Sequence, residues 1–151
     1  MADIVSSEMR SRMMAGIRGE NTKPEMIIRK GLFALGFRFR LHSKHLPGKP
    51  DIVLAKYRAA IFVHGCFWHG HDCHLFKWPQ SKKEFWRTKI NRNRERDREV
   101  REGFEAIDWR RLVVWECAIK GKSRLGDEKV LEQVSRWICG NKKYYEIRGS
   151  I

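Results

Sequence analysis

The chain has 151 residues, a length that suits one domain with its own buried core. Apolar residues make up 42% of the composition, which excludes a disordered chain, and the formal net charge is +14. A single domain this basic is most simply a nucleic-acid-binding protein. The first residues lack a signal-peptide pattern and no apolar run reaches membrane length, so we expect a cytoplasmic protein with reduced cysteines and no membrane partner.

Residues 6–22 are polar and basic. They form either a short amphipathic helix packed on the domain or an arm that lies along DNA, because periodicity cannot separate the two in so short a stretch. We assign residues 1–22 to this N-terminal segment, residues 23–140 to the main domain and residues 141–151 to a polar tail.

A helix start opens the main domain. Thr22 and Glu25 stand at capping-box spacing, and Pro24 is tolerated in a first turn. The helix is predicted to run to Leu35, where Gly36 ends it.

Short apolar runs after this helix predict strands. Residues 37–41 alternate between apolar and basic side chains, which is typical of a half-buried strand, and residues 46–50 form a turn. Residues 51–55 form a short buried strand that begins with Asp51. A tight connection leads from it into a strand at residues 59–63, so we expect a hairpin.

Two helices and one strand complete a predicted single α/β domain, a central mixed sheet flanked by helices. Ser81 and Glu84 form a second capping box that opens a long helix to about Phe104. Residues 111–117 form a buried strand that ends in a thiol, and a last helix runs to about Ile138. One stripe of the long helix, spaced by three and four residues, is expected to face inward. The stripe consists of Trp86, Ile90, Asn93, Asp97, Val100 and Phe104.

The residues between His64 and His74 concentrate reactive side chains. This loop holds four of the six histidines and two of the four cysteines of the chain. Four nitrogen and sulfur ligands close a tetrahedral zinc site, and Cys66, Cys73 and Cys117 offer three of them. Buried free thiols are the alternative, which we disfavour because the cysteines lie beside histidines in a loop. By spacing alone the fourth ligand is one of His69, His71 and His74.

A second set of polar residues suggests hydrolysis with a metal ion. Asp51 begins one hairpin strand and His64 ends the other, so both side chains reach one edge of the sheet. Mg²⁺ prefers carboxylates, carbonyls and phosphate oxygens, and Asp51 with the carbonyl of Val63 offers a partial shell. A neutral histidine can take a proton from the attacking water, and Asp97 can orient that imidazole. The alternative is structural, with Asp51 capping a turn and Asp97 paired to an arginine.

Three longer stretches of the sequence carry a family resemblance. They are residues 46–51, 62–69 and 114–117, and shorter matches lie at residues 10–14, 22–25 and 95–98. Taken in chain order, these stretches resemble the very short patch repair endonucleases, which are bacterial DNA mismatch endonucleases with a restriction-endonuclease-like fold. The resemblance covers about residues 8–140.

The resemblance implies an activity and a substrate. The family nicks double-stranded DNA on the 5′ side of a thymine mispaired with guanine, a mispair that arises when 5-methylcytosine deaminates. We therefore expect a monomeric, Mg²⁺-dependent endonuclease in the bacterial nucleoid. Mismatch-repair proteins and a DNA cytosine methyltransferase system are candidate partners.

The resemblance also implies catalytic roles for individual residues. Asp51 would be the carboxylate that binds Mg²⁺, and the Val63 carbonyl would complete the protein ligands. His69 would be the general base, with Asp97 behind it and His64 as a further active-site imidazole.

Further roles follow from the same resemblance. Glu25 would add to the acidic surroundings of the site, and Met14 would reach the DNA from the other groove. The structural Zn²⁺ would be held by Cys66, His71, Cys73 and Cys117. An aromatic wedge beside the mismatch would consist of Phe67, Trp68 and Trp86.

Two other functions stay open at this point. A zinc-stabilised DNA-binding protein without catalysis accounts for the charge and the loop, but it leaves Asp51, His69 and Asp97 unexplained. The other is a nuclease of the same fold with a different DNA-structure specificity. An ordinary restriction enzyme is disfavoured, because Phe62-Val63-His64 stands where the wider superfamily usually carries a second acidic residue and a lysine.

Overall fold

Five strands form a mixed sheet in the computed structural model, which describes residues 20–150. In spatial order they are β1 (Arg40–Leu41), β2 (Ile52–Leu54), β3 (Ala59–His64), β4 (Arg110–Trp115) and β5 (Tyr144–Ile147). The pairs β1–β2 and β2–β3 are antiparallel, whereas β3–β4 and β4–β5 are parallel. The C-terminal ends of β3 and β4 therefore lie side by side, with His64 opposite Trp115.

Helices cover both faces of this sheet. Within the described residues they are α1 (Lys23–Ala34), α2 (Lys83–Glu105) and α3 (Asp127–Cys139). α1 and α3 pack on one face and α2 packs on the other. The predicted α/β architecture is confirmed, and none of these helices is long and apolar enough to cross a membrane.

The central strand β3 contributes to both hydrophobic cores. Ala59 and Ile61 face the core beneath α1 and α3, while Ala60 and Phe62 face the core beneath α2. A strand buried on both faces needs apolar residues at every position. This explains why residues 59–63 read as an unbroken apolar run.

The first helix has the ends that its sequence predicts. Thr22 is the N-cap, and its hydroxyl accepts a hydrogen bond from the Glu25 amide at 3.4 Å. The Glu25 carboxylate accepts from the Asn21 amide at 3.1 Å, so the reciprocal bond reaches one residue beyond the cap. At the other end Gly36 has φ +97°. It provides the left-handed residue that commonly ends a helix.

Two local predictions were wrong. α2 begins at Lys83 after Lys82, which has φ +53° and gives no side-chain cap, so Ser81 does not start the helix. The first strand is shorter than residues 37–41, because Phe37 and Phe39 pack against the core without joining the ladder. In the case of the strand, tertiary packing outweighed the local alternating pattern.

The C-terminal residues need a correction as well. Residues 141–151 were assigned to a polar tail, yet Tyr144–Ile147 form β5 and pair with β4. The strand is short, Tyr144 and Glu146 are exposed and Tyr145 is half-buried, so only Ile147 gives the signal of a buried strand. At the other terminus, the arm predicted for residues 1–22 lies outside the described residues apart from positions 20–22, and Met14 lies outside them.

We expect Ile147→Ala to lower the free energy of unfolding by about 2–4 kcal/mol, because it empties a fully buried position in β5. Leu35→Ala is the control, since Leu35 is 58% exposed and its truncation is expected to change stability by no more than about 0.5 kcal/mol. Urea unfolding followed by circular dichroism measures both. Equal, small losses would show that β5 is not part of the core.

Candidate active site and metal centre

Four of the predicted ligands converge beside the ends of β3 and β4. One ligand atom from each of Cys66, His71, Cys73 and Cys117 lies within 4.8 Å of the others. His71 Nδ1 lies 3.5 Å from Cys66 Sγ and 3.6 Å from Cys117 Sγ. Tetrahedral coordination at about 2.0–2.3 Å places nitrogen and sulfur ligands about 3.5 Å apart. The donor set and its spacing therefore fit Zn²⁺.

The other two histidines that compete by spacing point elsewhere. His69 Nδ1 bonds to Asp97, and His74 Nδ1 lies 3.2 Å from the Ser123 hydroxyl. His71 is therefore the imidazole that the structure brings to the three thiols. Its ring also stacks on Trp115, with centroids 3.9 Å apart.

Backbone amides support the thiols of this cluster. The Cys117 amide donates to Cys66 Sγ at 3.3 Å, and the Gly149 amide donates to Cys117 Sγ at 3.3 Å. Burial raises the pKa of both thiols, Cys66 and Cys117. A cation bound among them would instead favour the deprotonated thiolates, which are the form that binds metal. The amide donors would then stabilise these thiolates.

The residues after β5 close the cluster from outside, which the sequence analysis missed. The Arg148 guanidinium donates to the Asp72 carboxylate at 2.8 Å and to its carbonyl at 2.9 Å. A Cβ at position 149 would lie 2.5 Å from the Cys117 carbonyl, so only glycine brings its amide this close. Arg148 and Gly149 thus pack against the four-ligand cluster and the loop that carries it.

His69 lies on the opposite side of the loop from the thiols. Its Nδ1 is 2.7 Å from Asp97 Oδ2 on α2, so the carboxylate holds the Nδ1–H tautomer and leaves Nε2 as the basic nitrogen. The His64 ring stacks on His69, with centroids 3.8 Å apart and planes 9° from parallel. Burial, with the charge of His69 adding to it, lowers the pKa of His64 well below its ordinary value. His64 is therefore neutral at pH 7.

Helix α2 fixes the backbone of the same loop. The Asn93 amide donates to the Trp68 carbonyl at 2.8 Å, and Arg94 donates to the Gly70 carbonyl at 2.6 Å. Gly70 has φ +58°, and a Cβ there would meet the Arg94 guanidinium at 2.5 Å. Together with Asp97, these contacts place the loop against one face of the helix.

Asp51 stands immediately before β2 and faces the end of β3. Its Oδ2 accepts a hydrogen bond from the Val63 amide at 2.7 Å. A strand residue presents its N–H and C=O to the same neighbour, so the Val63 carbonyl faces the Asp51 side as well. Burial raises the pKa of Asp51 to about 6, the Glu25 charge adds to this, and the Val63 bond opposes it.

His42 joins this carboxylate pair, and the sequence analysis missed it. Ligand atoms of Glu25, His42 and Asp51 lie within 4.8 Å of one another. His42 Nε2 is 2.8 Å from Glu25 Oε2, and the His42 amide donates to the Asp51 carbonyl. The signal that was available is register: in a β1–β2 ladder the residue after β1 lies opposite the residue before β2.

One open cavity of about 710 Å³ joins the two groups of residues. Asp51, Val63, His64, His69 and Asp97 all line it. Cationic side chains share the lining: Lys49, Lys89, Arg96 and Arg111. A DNA backbone that enters this cavity would therefore meet a carboxylate, a histidine paired with a carboxylate, and several cationic side chains.

The three predicted wedge residues lie in one aromatic cluster. Phe67 contacts Trp68 and Trp86, with ring centroids 5.3 Å apart in both pairs. Trp68 is buried, whereas Phe67 and Trp86 are half-buried. Two further aromatic side chains near this cluster are exposed, Trp78 and Phe85, and the sequence analysis did not single them out.

Comparison with known proteins adds an independent result. The family described as DNA mismatch endonuclease Vsr matches residues 2–75. The chain is 44% identical over 140 residues to the DNA mismatch endonuclease Vsr of Escherichia coli (strain K12), which covers 93% of this chain and 90% of that protein. It is 46% identical over 123 residues to the type II nicking enzyme V.NmeAIP of Neisseria meningitidis serogroup A, covering 82% and 88%.

We expect Cys73→Ser to lower the metal content of the purified chain well below one ion and to lower its melting temperature, because the site loses a ligand. Cys139→Ser is the matched control, since Cys139 is an exposed thiol outside the cluster. Elemental analysis and thermal unfolding measure the two effects. Full metal content in Cys73→Ser would remove Cys73 from the ligand set.

Asp51 also predicts how stability depends on pH. Its pKa is raised from 3.8 to about 6, so the folded chain keeps a proton that the unfolded chain has lost. The free energy of unfolding therefore falls as the pH rises from about 4 to about 6. We expect Asp51→Asn to remove this fall and to be more stable than the wild type at pH 7, by on the order of 1–3 kcal/mol.

Urea unfolding between pH 4 and pH 8, in buffer without Mg²⁺, measures this difference. Asp108→Asn is the control, because its side chain is 93% exposed and its profile is expected to match the wild type. A constant difference between Asp51→Asn and the wild type across this range would contradict the burial of the charge.

Proposed function

Because the chain belongs to the Vsr family of DNA mismatch endonucleases, we propose that it nicks double-stranded DNA on the 5′ side of a thymine mispaired with guanine. The reaction is hydrolysis of one phosphodiester bond, which leaves a 3′ hydroxyl and a 5′ phosphate. The observation that carries the proposal is the cavity lined by Asp51, Val63 and His69 together, beside a wedge of aromatic residues.

Asp51 and the Val63 carbonyl are the proposed ligands of a catalytic Mg²⁺. The bound ion supplies charge stabilisation to the reacting phosphate. The raised pKa of Asp51 supports this role, since a buried carboxylate without a cation costs free energy in its charged form. Glu25 and His42 help to position Asp51. Their side chains contact each other at 2.8 Å, and the His42 amide donates a hydrogen bond to the Asp51 carbonyl.

His69 is the proposed general base. Asp97 holds Nδ1, so Nε2 is free to accept the proton of the attacking water. The stacked His64 fixes the plane of the His69 ring, and two protonated rings 3.8 Å apart would repel each other. The pair therefore takes up one proton during the reaction.

The aromatic cluster is the proposed reader of the mismatch. A T·G wobble pair stacks imperfectly, so opening that step costs less than opening a matched one. Phe67 and Trp86 are half-buried, which leaves ring surface for stacking on exposed bases. Trp68 is buried against both and supports them. Met14 is proposed to contact the DNA from the other groove.

Zn²⁺ is the proposed occupant of the four-ligand cluster, in a structural role. Three thiols and one imidazole complete a tetrahedral shell and leave no position for water or substrate. This ion would stabilise the loop that carries His69. The monomeric state, the mismatch-repair proteins and the cytosine methyltransferase partner stay predictions.

A DNA-binding protein without catalysis is the second candidate. The net charge of +14 and the metal loop favour it equally. The pairing of His69 with Asp97 and the burial of Asp51 beside a strand end have no purpose in such a protein. Catalysis accounts for both.

A strand-resolved nicking assay tests the proposal. The duplexes differ only in one T·G or C·G pair at a methyltransferase-type site, and each is incubated with and without Mg²⁺. We expect a Mg²⁺-dependent nick beside the mismatched thymine alone. Equal nicking of both duplexes would remove the mismatch specificity, and tight binding without a nick would favour the DNA-binding candidate.

We also expect Asp97→Asn to lower the single-turnover nicking rate by roughly 10²–10⁴-fold, because His69 then loses the tautomer that makes Nε2 basic. Binding of the duplex should stay within about twofold of the wild type, a shift below ~0.5 kcal/mol. Asp127→Asn, on the exposed first turn of α3, is the control. An unchanged rate in Asp97→Asn would exclude His69 as an oriented base.

A further inference from the structure

A second pocket adjoins the catalytic cavity, and arginines dominate its lining. Its volume is about 210 Å³, and it shares His64, Asp97 and Arg111 with the catalytic cavity. Its arginines are Arg94, Arg98 and Arg101 from α2 and Arg111 from β4. Asp97 is the one carboxylate among the lining residues, and its Oδ2 is already bonded to His69.

Arg111 is the unusual member of this group. Its side chain is only 8% exposed, and within residues 20–150 its guanidinium forms no hydrogen bond or ion pair. The guanidinium lies over the Tyr144 ring of β5, 4.2 Å from the centroid. Burial lowers the pKa of Arg111, which reflects the cost of holding this charge away from water. The charges of Glu146 and Glu105 and the contact with Tyr144 offset part of this cost, and an anion that enters beside the guanidinium stabilises it further.

The chemistry of the pocket suits a phosphate group. A guanidinium presents several N–H donors in a plane, a geometry that matches two phosphate oxygens. Arg98 and Arg101 are exposed and add positive charge at the rim, while Arg94 is committed in part to the Gly70 carbonyl. The small volume accommodates a phosphate more readily than a whole nucleotide.

We propose that this arginine pocket binds a backbone phosphate of the substrate DNA, next to the phosphate that reacts in the catalytic cavity. The inference rests on the proposed function for its substrate, and it adds a site that positions the strand. Because the two pockets share walls at His64 and Asp97, neighbouring phosphates of one strand can occupy them. A phosphate held by Arg111 then fixes the register of the strand over His69.

A methylphosphonate scan of the duplex tests this assignment. Neutral methylphosphonates replace single phosphates around the mismatch, and equilibrium binding is measured without Mg²⁺. The proteins compared are the wild type, Arg101→Gln, Arg111→Leu and a control, Arg92→Gln. Arg92 is an exposed residue of α2 that lines neither pocket.

We expect one methylphosphonate position to weaken binding to the wild type about tenfold, as the loss of one charged contact does. The same replacement should have little further effect on Arg111→Leu, because its contact is already lost. Its effect should be smaller on Arg101→Gln than on the wild type, because the pocket has lost one positive charge at its rim. In both variants the slope of the logarithm of the binding constant against the logarithm of the salt concentration should also be smaller in magnitude by about one. Arg92→Gln should keep the wild-type scan.

An identical scan in all four proteins would overturn the proposal. Inorganic phosphate that binds the pocket without coupling to any duplex position would overturn the assignment to DNA. Arg101→Gln changes an exposed side chain and keeps the test valid if Arg111→Leu fails to fold. Because the scan measures binding without Mg²⁺, its outcome is independent of whether the protein nicks DNA.

Discussion

The convergence of three thiols and one imidazole is the constraint on which the site depends. Cys66, His71 and Cys73 lie in a loop that has no helix or strand, and Cys117 follows the central strand β4. A cation shared by the four would join that loop to the sheet, much as a small hydrophobic core does. Hydrogen bonds from α2 hold the opposite side of the loop. His69 lies between two of the ligands, so its position follows from theirs.

Two charged side chains are buried beside the cavities, at a cost in free energy to the free protein. Asp51 keeps a carboxylate away from water, and its raised pKa records the cost. Arg111 keeps a guanidinium largely buried against the Tyr144 ring, without a hydrogen bond or ion pair within residues 20–150. In both cases the proposed substrate complex would relieve the cost, through a cation at one position and a phosphate at the other. Asp51 and Arg111 thus lower the stability of the free protein at the positions proposed to contribute most to substrate binding.

Much of this arrangement could be predicted from the sequence, where the signal was periodic. The inward stripe of α2 placed Asp97 correctly, because a helix repeats its faces every 3.6 residues over a long span. The β2–β3 hairpin followed from two apolar runs with a tight connection. Local patterns without such repetition were less reliable, as the wrong cap at Ser81 shows.

What could not be predicted came from contacts between distant parts of the chain. β5 is a short, half-exposed strand, and its role depends on pairing with β4 and on the Gly149 amide beside Cys117. His42 reaches the carboxylates only through strand register. The choice of His71 over its neighbours needed either geometry or family resemblance, since all three histidines have workable spacing.

The most direct test of this account relates nicking to the metal content of the four-ligand cluster. Preparations with graded metal content, each supplied with the same Mg²⁺, are compared by the amplitude of a single-turnover nick on a T·G duplex. The account predicts that the active fraction equals the fraction of chains with one ion in the cluster. A folded chain without that ion that nicks with full amplitude would contradict it, because His69 would then be positioned without the thiol cluster.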